Sequence, residues 1–298
     1  MEDFSPLTKE LMDKAWAIRM QNFPPEIEFD YPQATEVITL TEKHCALDCA
    51  HCGGHYLKGM KSVKEVSWAG NNLKNLPSSK TKSYLITGGC DRQGKVPFQR
   101  QIPFIEEIKQ GRRLNFHVGL INDIEADQLS NLADVVSFDF VSDDETIQEV
   151  FGLNRKAEDY LHSYRVLRQR VKVLPHICIG LKGGQLAGEY KSLELLQQEG
   201  ADGLVFIVFI PTPGTRYEAK KPPLLEEVVK LLAEARVRFP DKPIFLGCMR
   251  PKGRYRQELD LAAVRCGVNK IVVPTRAAVE LAEELGLKVR VGEECCVL

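Results

Sequence analysis

Apolar and polar positions along this 298-residue chain alternate between two rhythms. Short runs rich in β-branched residues recur at Val37–Thr41, Tyr84–Thr87, Leu114–Ile121, Val135–Val141, Val173–Leu181, Leu204–Ile210, Ile244–Met249 and Lys270–Pro274. Between them stand stretches with apolar residues at helical spacing, such as Leu224–Ala235 and Ala277–Leu285. Runs like Leu204–Ile210 are apolar at every position, as in parallel strands covered on both faces. This alternation predicts an α/β fold, a closed (β/α)8 TIM-type barrel with its active site at the C-terminal mouths of the strands. A helix is expected over Leu7–Ile18, within a lead-in of residues 1–35 that Phe23-Pro-Pro25 ends. The barrel takes residues 36–286, and 287–298 form a tail whose place the pattern does not give. With no linker or internal repeat, residues 1–298 read as a single domain.

Composition narrows the class. A hydrophobic fraction of 44% and a charged fraction of 27% are ordinary for a soluble globular protein. The net charge of −1 argues against a nucleic-acid binder. No apolar run is long enough to span a bilayer, so no membrane association is expected. No secretory pattern follows Met1, so nine cysteines read as metal ligands in the reducing cytoplasm better than as disulfides. Cys295-Cys296-Val297-Leu298 has the form of a prenylation box, but Glu293-Glu294 stands where basic residues would help.

The chemistry gathers after the first run, where Cys45, Cys49 and Cys52 follow the spacing C-x3-C-x2-C. Three thiolates on one loop fit three corners of a [4Fe–4S] cube and leave the fourth iron open. The other reading is a zinc site completed by His44, His51 or His55. Further candidates fall at later strand mouths. Gly88 and Gly89 precede Cys90; Asn115 and His117 share one strand face, as do Ser137 and Asp139, and as do His176 and Cys178. Leu246, Cys248 and Arg250 share another, with Arg250 placed to hold a carboxylate or phosphate. Cys266 reads as a small buried hydrophobe.

The cysteine triplet in the first loop after a strand resembles the signature of the radical S-adenosylmethionine (SAM) enzymes. That resemblance implies a [4Fe–4S] cluster on Cys45, Cys49 and Cys52 whose open iron chelates SAM, and electron transfer that yields a 5′-deoxyadenosyl radical. It places His51 near the adenine, Gly88 and Gly89 at the SAM amino group, and Asp139 among the SAM contacts. A ferredoxin or flavodoxin is the implied electron donor.

The order and spacing of the segments resemble biotin synthase and its relatives. Arg250 falls where biotin synthases have the arginine that touches a second cluster. The positions of that cluster's three cysteines are held here by Ile86, Asn115 and Leu174, which cannot bind iron. Cys90, Cys178, Cys248, Cys295 and Cys296 are instead available for a second cluster built differently. This pattern, with Val136–Asp144 and Cys248–Arg256, is similar to the biotin-synthase-like proteins that include the components of the two-protein lipoyl synthase. The implied reaction is sulfur insertion into C–H bonds of an octanoyl-lysyl carrier protein, with a second synthase component as partner and His117, His176 and Arg250 facing substrate or cluster. The alternative is a radical SAM mutase or methylase that acts on a small molecule with the SAM cluster alone.

Overall fold

The computed structural model describes residues 4–66 and 80–298. Helix α1 (Pro6–Asn22) starts at Ser5, whose hydroxyl accepts from Thr8 N. Strands β1 (Glu26–Asp30), β2 (Thr35–Thr39), β3 (Lys61–Ser62) and β4 (Ser83–Thr87) follow. Strand–helix units then alternate: α2 (Ile102–Lys109), β5 (Arg113–Phe116), α3 (Asp123–Ser130), β6 (Val135–Asp139), α4 (Ala157–Arg168) and β7 (Val173–Ile179). The chain ends with α5 (Glu189–Gln198), β8 (Leu204–Val208), α6 (Leu225–Arg238), β9 (Ile244–Leu246), α7 (Arg254–Arg265), β10 (Lys270–Val272), α8 (Arg276–Glu284) and β11 (Lys288–Gly292).

All described strands run parallel in one curled sheet of order β11-β1-β10-β9-β8-β7-β6-β5-β4-β2-β3. The eight expected strands therefore exist and lie side by side in chain order, and the fold is the expected TIM-type α/β barrel. The curled sheet is open, with β11 and β3 at its edges. β2 does not pair with β10; β1 and β11 extend the sheet beyond β10. The gap between β11 and β2 is bridged by the segment after β11, where Ala34 N, just before β2, donates to Glu293 O at 2.8 Å.

Strand parity sorts the side chains. Val136, Phe138, Ile177, Ile179, Phe206 and Leu246 face outward and join the helices in the main core. Val135, Leu174 and Val205 face inward, and together with Val272 they pack around Cys296 and Val297. The tail that the pattern left unplaced is thus β11 followed by a plug, residues 293–298, in the bottom of the barrel. One expected face does not form. β9 ends at Leu246, which points to the helices, so Leu246, Cys248 and Arg250 do not share a side. Among the described residues no helix is long and apolar enough to cross a membrane.

Candidate active site

The loop after β2 carries the cysteine triplet and is tied down from three directions. Its own turns are closed by Cys52 N and Gly53 N, which both donate to Cys49 O. Beside it, Gly89 N donates to Thr41 Oγ1 at 2.7 Å and Ala46 N donates to Cys90 O at 2.8 Å. A side chain on Gly89 would put its Cβ 2.6 Å from Cys45 Cα, so glycine is required for the loop to seat on β4. The third tie comes from across the mouth. The loop after β8 reaches over, where Arg216 donates to Asp48 O at 3.0 Å, Tyr217 N donates to Ala50 O at 3.0 Å, and Tyr56 and Thr212 share a hydroxyl–hydroxyl bond of 3.0 Å. Neither Arg216 nor Tyr217 was legible as a site residue, because both fall in a loop with no metal or catalytic spacing.

The donor set fits an iron–sulfur cube. Burial, followed by the negative charge of Cys52, Cys45 and Cys90, pushes the Cys49 thiol far above its usual range. Burial and then Cys45 take Cys90 to about 12. Buried sulfurs that repel one another call for a cationic partner. The backbone N–H groups of Gly54, Tyr56 and His55 oppose burial at Cys52 and point to a sulfur that bears charge. Among the described residues no three His, Cys, Asp or Glu side chains converge on a single ion position. A cube asks less, because each thiolate meets its own corner. His44 and His55 are exposed, while His51 turns inward, edge-on to Phe151 with ring centroids 6.0 Å apart. Its Nδ1 is buried without a partner, and burial lowers its pKa to about 4.

Below this loop the inward faces of β5, β6 and β7 line a polar well. His117 Nε2 stands 3.0 Å from Asp139 Oδ2. Burial raises Asp139, but His117, and more weakly His176 and His51, bring it down to about 2. Asp139 in turn holds His117 above the usual imidazole value against the effect of burial. The two side chains remain 34% and 46% exposed although they sit on the inner face of the sheet, so the lumen here is open to solvent. The His176 ring stacks near His117, its Nδ1 3.0 Å from Leu174 O. Nδ1 therefore carries the proton and Nε2 faces Cys296 Sγ at 3.9 Å. Burial first, then the neighbouring His117, keeps His176 at about 4.

The floor of the well is the plug. Cys295 N donates to Thr35 Oγ1 at 2.8 Å, and Glu293 and Glu294 pair with Lys82 and Arg113. Cys295 Sγ lies 4.0 Å from Cys296 Sγ and 3.5 Å from Asn115 Nδ2. Hydrogen bonding from Cys296, then Asn115 and two backbone N–H groups, outweighs burial and brings Cys295 down to about 7. The Cys296 thiol is pushed up, first by holding the shared proton. Cys248, an exposed residue, is raised by burial of its thiol and then by the charge of Cys295.

The five further cysteines named as candidates for a second cluster therefore divide. Cys295 and Cys296 meet at the floor with Cys248, beyond the end of β9, in their electrostatic reach; Cys90 belongs beside Cys45, and Cys178 is in electrostatic reach of Tyr56 and Asp139. Arg250 departs from expectation. Its guanidinium is consumed by Asp260 and by the carbonyls of Gly247, Val272 and Val273, so it offers no free face to a substrate carboxylate or a cluster. Cys266 is buried, its Sγ 3.6 Å from Val229 O, as expected of a packing residue.

No family model and no curated protein matches the chain by sequence. Solved structures do match. Methylornithine synthase PylB is similar at a TM-score of 0.65 and 16% identity, over 95% of this chain and 89% of that one. The FeFe-hydrogenase maturase HydG from Carboxydothermus hydrogenoformans is similar at a TM-score of 0.67 and 16% identity, over 96% of this chain and 73% of that one. SuiB from Streptococcus suis, bound to S-adenosylmethionine, is similar at a TM-score of 0.51 and 11% identity, over 78% of this chain and 52% of its own. These are radical SAM enzymes, and the chain has their fold.

Proposed function

We propose that the chain is a radical SAM enzyme that inserts sulfur from a second iron–sulfur cluster into C–H bonds of an octanoyl-lysyl carrier protein. Cys45, Cys49 and Cys52 would hold the first cluster, and Cys295 and Cys296, with Cys248 beside them, the second. When bound, the first cluster supplies the electron that cleaves SAM to a 5′-deoxyadenosyl radical, and the second supplies sulfur. The protein's own part is positional. The β8 loop and Gly89 fix the triplet at the mouth, the His117–Asp139 pair keeps a charged, hydrogen-bonding wall below it, and the plug presents thiols at the floor.

The observation that carries this reading is the second thiol set in the same lumen as the triplet, where Cys295 Sγ lies 4.0 Å from Cys296 Sγ. A well entered from the mouth suits an acyl arm on a tethered lysine, since only the arm must pass. A second synthase component and a ferredoxin or flavodoxin complete the proposal as partners.

Iron and acid-labile sulfide per chain after anaerobic reconstitution test it. About eight irons are expected, falling to about four in a Cys45/Cys49/Cys52 triple alanine variant, with sulfur incorporated into octanoylated carrier in the presence of SAM and reductant. About four irons falling to none would leave only the SAM cluster and turn the reading to a mutase or methylase of a small molecule.

A further inference from the structure

The rim of the barrel mouth is electrically lopsided, although the whole chain carries a net charge of only −1. The loop after β6 holds Asp143, Asp144, Glu145 and Glu149 against Arg155 and Lys156. Next to it, the loops after β7, β8 and β9 hold Arg216, Lys220, Lys221 and Lys252 against Glu218, with Lys182 paired to Glu145 of the acidic loop at 2.8 Å and Arg250 buried in its own ion pair. These three loops pack as one body. The Lys220 stem lies over Gly183, Pro223 fills the space beside Gly180, and Tyr255 Oη donates to Pro223 O at 2.9 Å.

Lys220, Lys221 and Lys252 are all exposed, and no carboxylate among the described residues lies within ion-pair distance of them. The next two helices continue the arc at some cost. α7 opens with Arg254 and α8 with Arg276, side chains 86% and 92% exposed, and neither helix has an acid in its first turn. A cation there opposes the helix dipole, and the internal Glu258 and Glu280 partners only offset the cost.

We propose that this arc is the docking surface for an acidic protein domain that presents the reacting group to the well. The inference rests on the reading above that the substrate is carried on a protein. The cations are spread over separate loops and do not converge on one point, so they match an extended acidic face better than a single small anion. Leu224, 71% exposed and following Lys220-Lys221-Pro-Pro, adds an apolar contact amid the charge, as protein interfaces have. The arc adjoins the mouth, so a domain seated on it can pass an arm of its own directly inward.

The test is binding of a fluorescently labelled octanoylated carrier domain to the reconstituted full chain, over a salt series. Wild type is compared with the triple variant Lys220→Glu, Lys221→Glu, Lys252→Glu, and SAM cleavage checks that the variant is intact. Expected is a loss of about tenfold or more in affinity at low salt, shrinking as salt rises. Equal binding by both proteins would overturn the arc and leave the carrier reading standing. No binding to wild type would sink the carrier reading and this inference together. A short DNA duplex bound by wild type and released by the variant would assign the arc to nucleic acid and overturn it as well.

Discussion

Arg250 Nε lies 2.7 Å from Asp260 Oδ1, and neither side chain meets solvent. The pair clamps the ends of β9 and β10 through the carbonyls of Gly247, Val272 and Val273. A buried charge that loses its partner is far costlier than the pair is favourable. Asp260→Ala is therefore expected to lower folding stability by about 3–5 kcal/mol, measured by chemical denaturation of the apo chain. Iron bound per folded molecule should stay at the wild-type level. A selective loss of second-cluster iron in a stably folded variant would return Arg250 to the lumen.

Removing the Arg216 guanidinium takes charged donors from Asp48 O, Glu149 O and Val150 O. Arg216→Ala should cost about 2 kcal/mol in loop anchoring. The readout is iron retained after desalting of reconstituted protein, which should fall while far-ultraviolet dichroism is unchanged. Full retention would show that the β8 loop does not hold the triplet.

Gly89→Ala tests the seating of the same loop from the other side. The added methyl meets backbone of the cysteine loop, which cannot swing away as a flexible side chain could. A destabilisation of about 1–3 kcal/mol is expected, with loss of the SAM-dependent cluster spectrum before loss of fold. Gly54, whose Cβ position faces open space, is the control for a glycine in the same loop, although its positive φ adds a small strain of its own.

Shortening the chain after Glu294 removes Cys295 and Cys296 but keeps both floor ion pairs. Iron should fall to about half, with SAM cleavage still measurable. Unchanged iron would remove the plug from the list of ligands.

Two buried histidines should weaken the apo protein as acid is added, against the opposite pull of His117, held high by Asp139, and of Asp30, raised by burial to about 6. His51 and His176 titrate at about 4 in the folded chain, against about 6.5 when unfolded. Between those values the unfolded state binds more protons at these two sites, so the stability they contribute falls as pH drops from about 6.5 towards 4. Asp139 acts in the same direction lower down, where stability present above about pH 4 is lost as pH falls through its folded value of about 2. Denaturation midpoints across this range, compared with His176→Gln, should show a shallower slope in the variant. An identical slope would mean that His176 does not titrate in this way.

Much of this was readable from the chain. The eight barrel strands announced themselves because their outward residues must meet helices, which makes runs such as Leu204–Ile210 apolar almost throughout. The triplet was readable because its spacing reflects a loop that turns on itself. The residues that escaped did so for physical reasons. β1, Glu26–Asp30, alternates acids with apolar residues because Glu26, Glu28 and Asp30 pair with Lys288, Lys270 and Arg290 of neighbouring strands. Arg250 was misplaced because period-two parity was carried past Leu246, where the strand stops. The floor was invisible because residues 293–298 owe their position to partners such as Thr35 and Arg113, far away along the chain.

That distance governs the order of assembly. Thr35, Lys82 and Arg113 precede their partners Cys295, Glu293 and Glu294 by 260, 211 and 181 residues. At translation rates of about 5–20 residues per second, these three anchors leave the ribosome about ten seconds or more before the segment that they hold. During that interval the rest of the wall is still being made, since β10 ends only at Val272 and β11 at Gly292. The floor is therefore the last part of the barrel to be set, and its early anchors wait for these partners until the final residues of the chain arrive.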